Sequence, residues 1–154
     1  MIPDRVVEVL QGPAFIQLGT RDERLRPAHV MAVGAVVHPD RETVTFFVPA
    51  SRSERALSDL RSNGRVALGV GLVSHEAYQL KGRYLSARPT TDEEIALQDT
   101  YRTKMLEAVR RAYPDEIAVP LVFGFRYKPG VAITFHVEEV FLQTPGPGAG
   151  SKMV

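Results

Sequence analysis

The stretch TVTFFVPASRSERALSDLRSNGRVALGV, residues 43–70, decides the fold class of this chain. It begins with an apolar strand, passes through a polar segment that holds serines and arginines, and ends in a second apolar strand. The polar segment begins a helix that is predicted to bury Ala56, Leu57 and Leu60, and Asn63-Gly64 ends that helix. A strand, a helix and a strand therefore follow one another without a long loop.

The start of this helix is suited to an anion. Free N–H groups and the helix dipole favour negative charge at a helix N-terminus. Ser51, Arg52 and Arg55 lie within the first turns. Ser51 with Glu54 also fits a capping box, and Ser53 is a simpler N-cap. Phosphate binding and ordinary capping are therefore both open at this position.

Length and composition predict one globular domain. The chain has 154 residues, of which 44% are hydrophobic and 24% are charged. With a formal net charge of +1, we expect no general electrostatic attraction to nucleic acid or to an anionic membrane surface. There is no cysteine, no apolar run of membrane-spanning length and no signal-peptide pattern at the N-terminus. We expect a cytoplasmic protein that binds neither nucleic acid nor membrane.

Hydrophobic patterning along the chain predicts a mainly β fold with α-helices. A short helix ends at Gln11-Gly12-Pro13, and a long one begins at the capping box Thr91-Asp92-Glu93-Glu94 and ends before Pro114. Residues 117–127 are ambiguous. Short turns between most strands favour an antiparallel, closed or partly closed barrel with helices outside it. The six predicted strands are residues 14–20, 27–37 with a bend at Gly34, 43–48, 65–72, 77–87 and 131–142.

The fifth predicted strand alternates between an apolar and a polar face. Gln79 could hydrogen-bond a planar ligand through both its donor and its acceptor, and the Lys81 ammonium could pair with a negative charge on that ligand. A solvated strand face explains the same pattern. The apolar face is Tyr78, Leu80, Gly82 and Tyr84, and the polar face is Gln79, Lys81 and Arg83.

Common catalytic and binding motifs are missing from the sequence. It holds no HExxH, GxSxG, GxxxxGK[ST] or GxGxxG pattern. The spacing of the four histidines matches no local metal motif. We therefore predict no metal site and assign no catalytic acid or base.

Taken together, these segments resemble the pyridoxamine 5′-phosphate oxidase-like family, the FMN-binding split barrels. The matching pieces cover about 140 residues, and their order and spacing carry the resemblance. They are the helix ending at Gly12, Arg26-Pro27-Ala28-His29-Val30, residues 46–60, residues 63–68, Gln79-Leu80-Lys81-Gly82 and residues 141–148.

The resemblance implies a six-stranded antiparallel split β-barrel that forms a homodimer, with FMN in clefts at the dimer interface. The barrel domain would cover residues 1–143. The Pro/Gly-rich tail, residues 144–154, has no regular pattern, and from that pattern we expect it to be extended or mobile. The flavin ring would lie along His29, Val30 and Met31 and near Val48, Pro49 and Ala50. The phosphate would lie by Ser51, Arg52 and Arg55, with Gln79 and Lys81 approaching the ring or ribityl chain.

One departure from the family concerns the phosphate. Counted back from Asn63-Gly64, the family's Ser-Arg-Lys triplet falls on Glu54-Arg55-Ala56, so alanine replaces the lysine. The leading hypothesis is an FMN-dependent oxidoreductase of unknown substrate. The alternative is a non-catalytic binding or sensing protein that takes a flavin, a deazaflavin or no cofactor.

Overall fold

The computed structural model describes residues 1–154 and consists of seven strands and four helices. The helices are α1 Asp4–Leu10, α2 Ala50–Asn63, α3 Asp92–Arg110 and α4 Asp115–Phe123. The strands are β1 Phe15–Arg21, β2 Pro27–Ala32, β3 Ala35–Val37, β4 Thr43–Pro49, β5 Arg65–Gly71, β6 Ala77–Pro89 and β7 Gly130–Leu142. They form one sheet in the order β2-β1-β5-β6-β7-β4-β3, and every pairing is antiparallel.

The prediction of a mainly β fold with flanking helices is confirmed, but the prediction of six strands is wrong. The chain bends at Gly34, where φ is +92°, so the predicted strand 27–37 becomes two short strands. The first pairs with β1 and the second with β4. The backbone N–H of Val33 donates to the Phe47 carbonyl at 2.7 Å and fixes the bend. The sheet therefore wraps round a core without closing, because its edges β2 and β3 do not pair with each other.

The core lies on the inner face of this wrapped sheet. The rings of Phe46 and Phe135 meet edge to face at 5.8 Å between centroids. Ala56 and Leu60 from α2 are almost fully buried in the same cluster. Complete burial of a large apolar side chain contributes roughly 1.5–3 kcal/mol, so this cluster holds the sheet and α2 together.

Neither predicted N-cap of α2 is used. The helix begins directly after Pro49, no side chain caps it, and the buried Ser53 hydroxyl donates to the Ala50 carbonyl at 3.2 Å. The Ala50 N–H instead donates to Pro129 at 2.9 Å, a partner from a distant part of the chain. The predicted end is confirmed, because Gly64 has a φ of +68°.

The capping box of α3 is confirmed, and its Glu94 also forms an ion pair with an arginine of β6. Thr91 accepts from the backbone of Glu94, and the Glu94 carboxylate accepts from the backbone N–H of Thr91. The Arg88 guanidinium binds Glu94 at 2.7 Å, which lowers the pKa of that carboxyl. Met105 and Val109 of this helix are buried, whereas Leu97 is 37% exposed. The ambiguous residues 117–127 belong mostly to α4.

The tail contains no named helix or strand, but its last residues pair with β7. Beyond His136, β7 extends past its neighbour β4 and leaves an open edge. Residues 150–154 return to that edge, where the Leu142 N–H donates to Ser151 and the Met153 N–H donates to Val140. The tail therefore satisfies backbone groups that β4 leaves unpaired.

Candidate functional site

The outer face of β2, β1, β5 and β6 brings four of the predicted contact residues onto one surface. Alternate residues of these strands point into the core, so the residues between them point outward. The strand register aligns the outward residues in two rows that cross all four strands. The first row is Met31, Gln17, Gly69 and Gln79, and the second is His29, Gly19, Ala67 and Lys81.

The middle of this surface is flat, because small residues occupy it. We call Gly19, Ala67, Gly69 and Gly71 the glycine floor. A Cβ on Gly69 would lie 3.9 Å from its nearest neighbour, and one on Gly19 would lie at 3.6 Å, both ordinary contacts. None of the three glycines has a positive φ. Nothing within the chain therefore requires glycine at these positions.

Glycine in a strand interior costs roughly 0.5–1 kcal/mol relative to alanine. Such residues mark a bend, a bulge or a close approach by a ligand or another backbone. The paired registers of β1 and β5 run without a break through the glycine floor, which excludes a bulge there. A bend of the wrapped sheet and close approach of a group from outside the chain both remain as reasons for them.

Two open grooves extend along this outer face. The groove at the Gln79 end has a volume of about 480 Å³, and the groove at the Lys81 end has about 370 Å³. Gly69 and Gly71 line the first, and Gly19 and Ala67 line the second, so the glycine floor runs through both. A planar molecule could lie flat along the surface that they share.

The polar residues of β6 present unused donors and acceptors to this surface. The Gln79 side chain makes no hydrogen bond within the chain, and the Lys81 ammonium lies 4.6 Å from the centre of the Phe141 ring. The fifth predicted strand therefore has the alternation that was expected of it. Both side chains can contact a molecule lying on the glycine floor.

The helix-start residues point in two directions. Arg52 lies over the Phe125 ring at 5.9 Å, whereas Arg55 reaches the Arg26 carbonyl at 3.4 Å and lies 4.0 Å from Asp22. Ser51 is exposed between them. Phe125 and Met31 line one apolar cleft together with residues of α3 and α4.

A carboxylate competes with any anion for Arg55. Asp22 accepts hydrogen bonds from the backbone N–H groups of Arg26 and Arg24 and from the Arg26 guanidinium at 2.7 Å. These bonds lower the pKa of Asp22, with the Arg26 N–H as the largest cause, so the carboxyl is ionised at neutral pH. Glu54 lines a small groove together with Asp22 and Arg55, so a second carboxylate lies near this guanidinium. Arg55 is therefore partly neutralised before any ligand arrives.

Ala56 is 1% exposed and packs in the main core. A side chain at this position points away from the surface, so a lysine here could not reach a ligand at the helix start. The positive charge at the start of α2 comes from Arg52 and Arg55 instead.

The remaining predicted contacts differ in what they can offer. Val30 and Val48 are buried in the core, and Pro49 is also buried, so these three residues can meet a ligand only through their backbone. Ala50 is half-buried, and its N–H is already bonded to Pro129. The structure therefore brings together His29, Met31, Gln79 and Lys81 on the outer face, and Ser51, Arg52 and Arg55 at its β2 edge.

Two residues at this surface were missed from the sequence. Gln17 stands between Met31 and Gly69, and the alternation of the first strand could have identified it. The Arg102 guanidinium lies 4.3 Å from the Phe123 ring and 4.2 Å from the Tyr127 ring. Its Nε has no partner, and burial lowers its pKa. No local sequence signal places Arg102 there, because the two rings lie in and after α4.

Solved structures with the same fold share little sequence with this chain. HupZ from Group A Streptococcus is 13% identical with a TM-score of 0.58, and the match covers 97% of this chain and 100% of that one. A protein named F420 reductase is 16% identical with a TM-score of 0.59, over 90% and 98% of the two chains. A candidate pyridoxamine 5′-phosphate oxidase from Lactobacillus delbrueckii is 14% identical with a TM-score of 0.55, over 91% and 93%.

No family model and no curated protein matches the sequence. The fold is that of the pyridoxamine 5′-phosphate oxidase-like split barrels. The resemblance drawn from the sequence is therefore confirmed as far as the fold is concerned. None of the four helices has the length and apolar character needed to cross a membrane.

Proposed function

We propose that this chain binds a flavin, with FMN as the first candidate, and uses it as an oxidoreductase on a small molecule. The observation that carries the proposal is the glycine floor, which lies between His29 and Met31 on one side and Gln79 and Lys81 on the other. Three strand spacings, about 14 Å, separate the two sides. This surface suits a flat, elongated ring system.

Each group has a role in this arrangement. Gln79, with both donor and acceptor free, suits the polar edge of the ring, and Lys81 suits a developing negative charge on it. Ser51, Arg52 and Arg55 would hold the phosphate. A bound flavin would supply hydride or electron transfer, while the chain binds and orients it.

A homodimer would complete the site by covering the open face. Ile117, Leu121 and Phe123 of α4 are between 40% and 49% exposed. Exposed apolar side chains that cluster on one helix favour a protein partner. The half-buried Met31 lines one cleft with Leu121, so a second copy seated on α4 would also border the flavin surface.

Titration with FMN and riboflavin, followed by the quenching of flavin fluorescence, tests the proposal. We expect saturable FMN binding and weaker riboflavin binding, because riboflavin lacks the phosphate. Absence of saturable binding up to millimolar FMN would overturn it.

A deazaflavin is the alternative cofactor, and the similarity of fold to the protein named F420 reductase favours it. A competition titration between F420 and FMN separates the two. Displacement of FMN by stoichiometric F420 would make the deazaflavin the cofactor. A protein that binds either one without turning over nicotinamide cofactors or common acceptors would be the non-catalytic sensing form.

A further inference from the structure

We propose a second phosphate-binding position, distinct from the start of α2, in the groove at the Lys81 end of the outer face, for the phosphate monoester of an organic ligand. Arg21, Arg65 and Lys81 line this groove, which has a volume of about 370 Å³. They come from three adjacent strands, β1, β5 and β6. The proposal does not require that a flavin is bound.

Two arginines face each other directly in this part of the sheet. Arg65 on β5 pairs with Arg83 on β6, and both side chains are just over half exposed. Like charges directly opposite each other in an antiparallel pair are destabilising. The Glu138 carboxylate lies within salt-bridge distance of both and offsets part of that repulsion, and a bound anion would offset more.

The chain's own carboxylates neutralise only part of the charge. Glu138 lies 3.1 Å from Arg83 and 3.7 Å from Arg65, and Glu139 lies 3.1 Å from Lys152 of the tail. No carboxylate lies within salt-bridge distance of Arg21 or Lys81. Three cations, Arg21, Arg65 and Lys81, and two carboxylates, Glu138 and Glu139, line the groove. Arg83 and Lys152 lie outside the lining and pair with those two carboxylates.

The backbone around the groove holds these charges in place. Asn63 donates to the Arg21 carbonyl at 2.7 Å and accepts from the Arg65 N–H at 3.0 Å, which joins the end of β1 to the start of β5. Glu138 is the extra residue of a β-bulge, because Lys81 pairs with Glu139 and Gly82 pairs with Val137. Bulges are frequent next to binding sites, where they redirect a side chain.

The donor geometry favours phosphate. Arginine forks bind phosphate oxygens with two parallel hydrogen bonds, and a lysine adds a point charge. The groove continues into the glycine floor, so an ester whose organic part lies on the floor would place its phosphate among Arg21, Arg65 and Lys81.

Isothermal titration calorimetry with inorganic phosphate and with phenyl phosphate, at constant ionic strength in chloride buffer, tests the site. We expect Arg65→Gln to weaken binding about tenfold, because one charge-assisted donor is lost. Glu138→Gln should tighten binding about threefold, since it removes a competing carboxylate. Arg111→Gln, on the far end of α3, is the matched control and should change nothing.

A gain of phosphate affinity in Glu138→Gln cannot come from misfolding, so this variant tests the site even if Arg65→Gln does not fold. Unchanged binding in Arg65→Gln would overturn the site, and so would loss of phosphate binding in the Arg52→Gln/Arg55→Gln double variant. Equal affinity for the two probes would assign the groove to free phosphate and overturn the organic ester. Displacement of phosphate by FMN but not by riboflavin, which has the same ring without a phosphate, would assign these arginines to the flavin phosphate and also overturn the proposal. Failure of FMN to bind at all would leave it standing.

Discussion

Gly82 and Gly69 lie on neighbouring strands, and they are glycine for opposite reasons. A Cβ on Gly82 would overlap the His136 carbonyl oxygen, so the packing of β6 against β7 requires glycine. A Cβ on Gly69 would meet nothing closer than 3.9 Å. Both positions cost backbone entropy on folding.

The difference shows how structure separates two roles that sequence cannot. Gly82 closes a bulged strand pair and serves the fold. No contact within the chain requires glycine at position 69. It lies on the outer face between Gln17 and Gln79. The glycine floor therefore points to a group that is bound from outside.

The largest expected effect is the difference in folding stability between alanine substitutions at Gly82 and at Gly69. We expect Gly82→Ala to lower the free energy of unfolding by about 3 kcal/mol or more, because the new methyl group overlaps a backbone carbonyl. Gly69→Ala should change it by no more than about 1 kcal/mol, in the stabilising direction. Urea denaturation of the two variants measures both values. Equal losses in the two would mean that the two glycines do not differ in role.

The next effect concerns the arginines at the start of α2. In the Arg52→Gln/Arg55→Gln double variant we expect FMN affinity to fall about tenfold, or about 1.4 kcal/mol, with riboflavin affinity unchanged. The exposed Arg61→Gln serves as the control, because it lies at the other end of the helix. Flavin fluorescence titrations with both ligands measure the changes. A parallel loss for both would show that these arginines shape the surface and do not hold a phosphate.

The smallest effect is a pH dependence of stability at the start of β6, where Glu76 precedes the strand. Hydrogen bonds from Arg5, and then from Tyr78, lower the pKa of Glu76 to about 2. A folded pKa below the unfolded value near 4.5 stabilises the fold above that pH, and the stabilisation is lost as the pH falls through about 2. Because the site is close to the surface, we expect about 1 kcal/mol or less.

Urea midpoints at pH 7 and pH 3 test this, with Glu76→Gln compared with wild type. Wild type should lose more stability than the variant over that interval. Glu8→Gln is the matched control, since Glu8 binds the same Arg5 from an exposed position. An identical loss in wild type and Glu76→Gln would contradict the assignment.

Local patterns predicted much of the fold. The alternation along β6, the end of α2 at Gly64 and the capping box of α3 depend on neighbouring residues, and all three are confirmed. The strand count could not be predicted, because the bend at Gly34 is fixed by hydrogen bonds to Phe47. Likewise Pro129 satisfies the first N–H of α2 across the molecule, and the tail pairs with an edge that only the assembled sheet exposes.

The candidate site divides in the same way. The polar residues of β6 and the charges of the helix start were evident from the sequence. The glycine floor was not, because it depends on the cross-strand register that aligns Gly19 with Ala67 and Gly69 with Gln79. The competition of Asp22 for Arg55 was also hidden, since it depends on the packing of α2 against β1 and β2.

The most direct test of the central claim is the FMN affinity of Gly69→Val, measured beside its folding stability. Valine suits a strand and has room at this position, so the variant should fold as well as wild type. Its side chain would cover the glycine floor, and we expect FMN binding to be lost, whereas Ser86→Val, on the exposed part of the same sheet, should bind normally. A folded Gly69→Val protein that binds FMN with unchanged affinity would contradict the account.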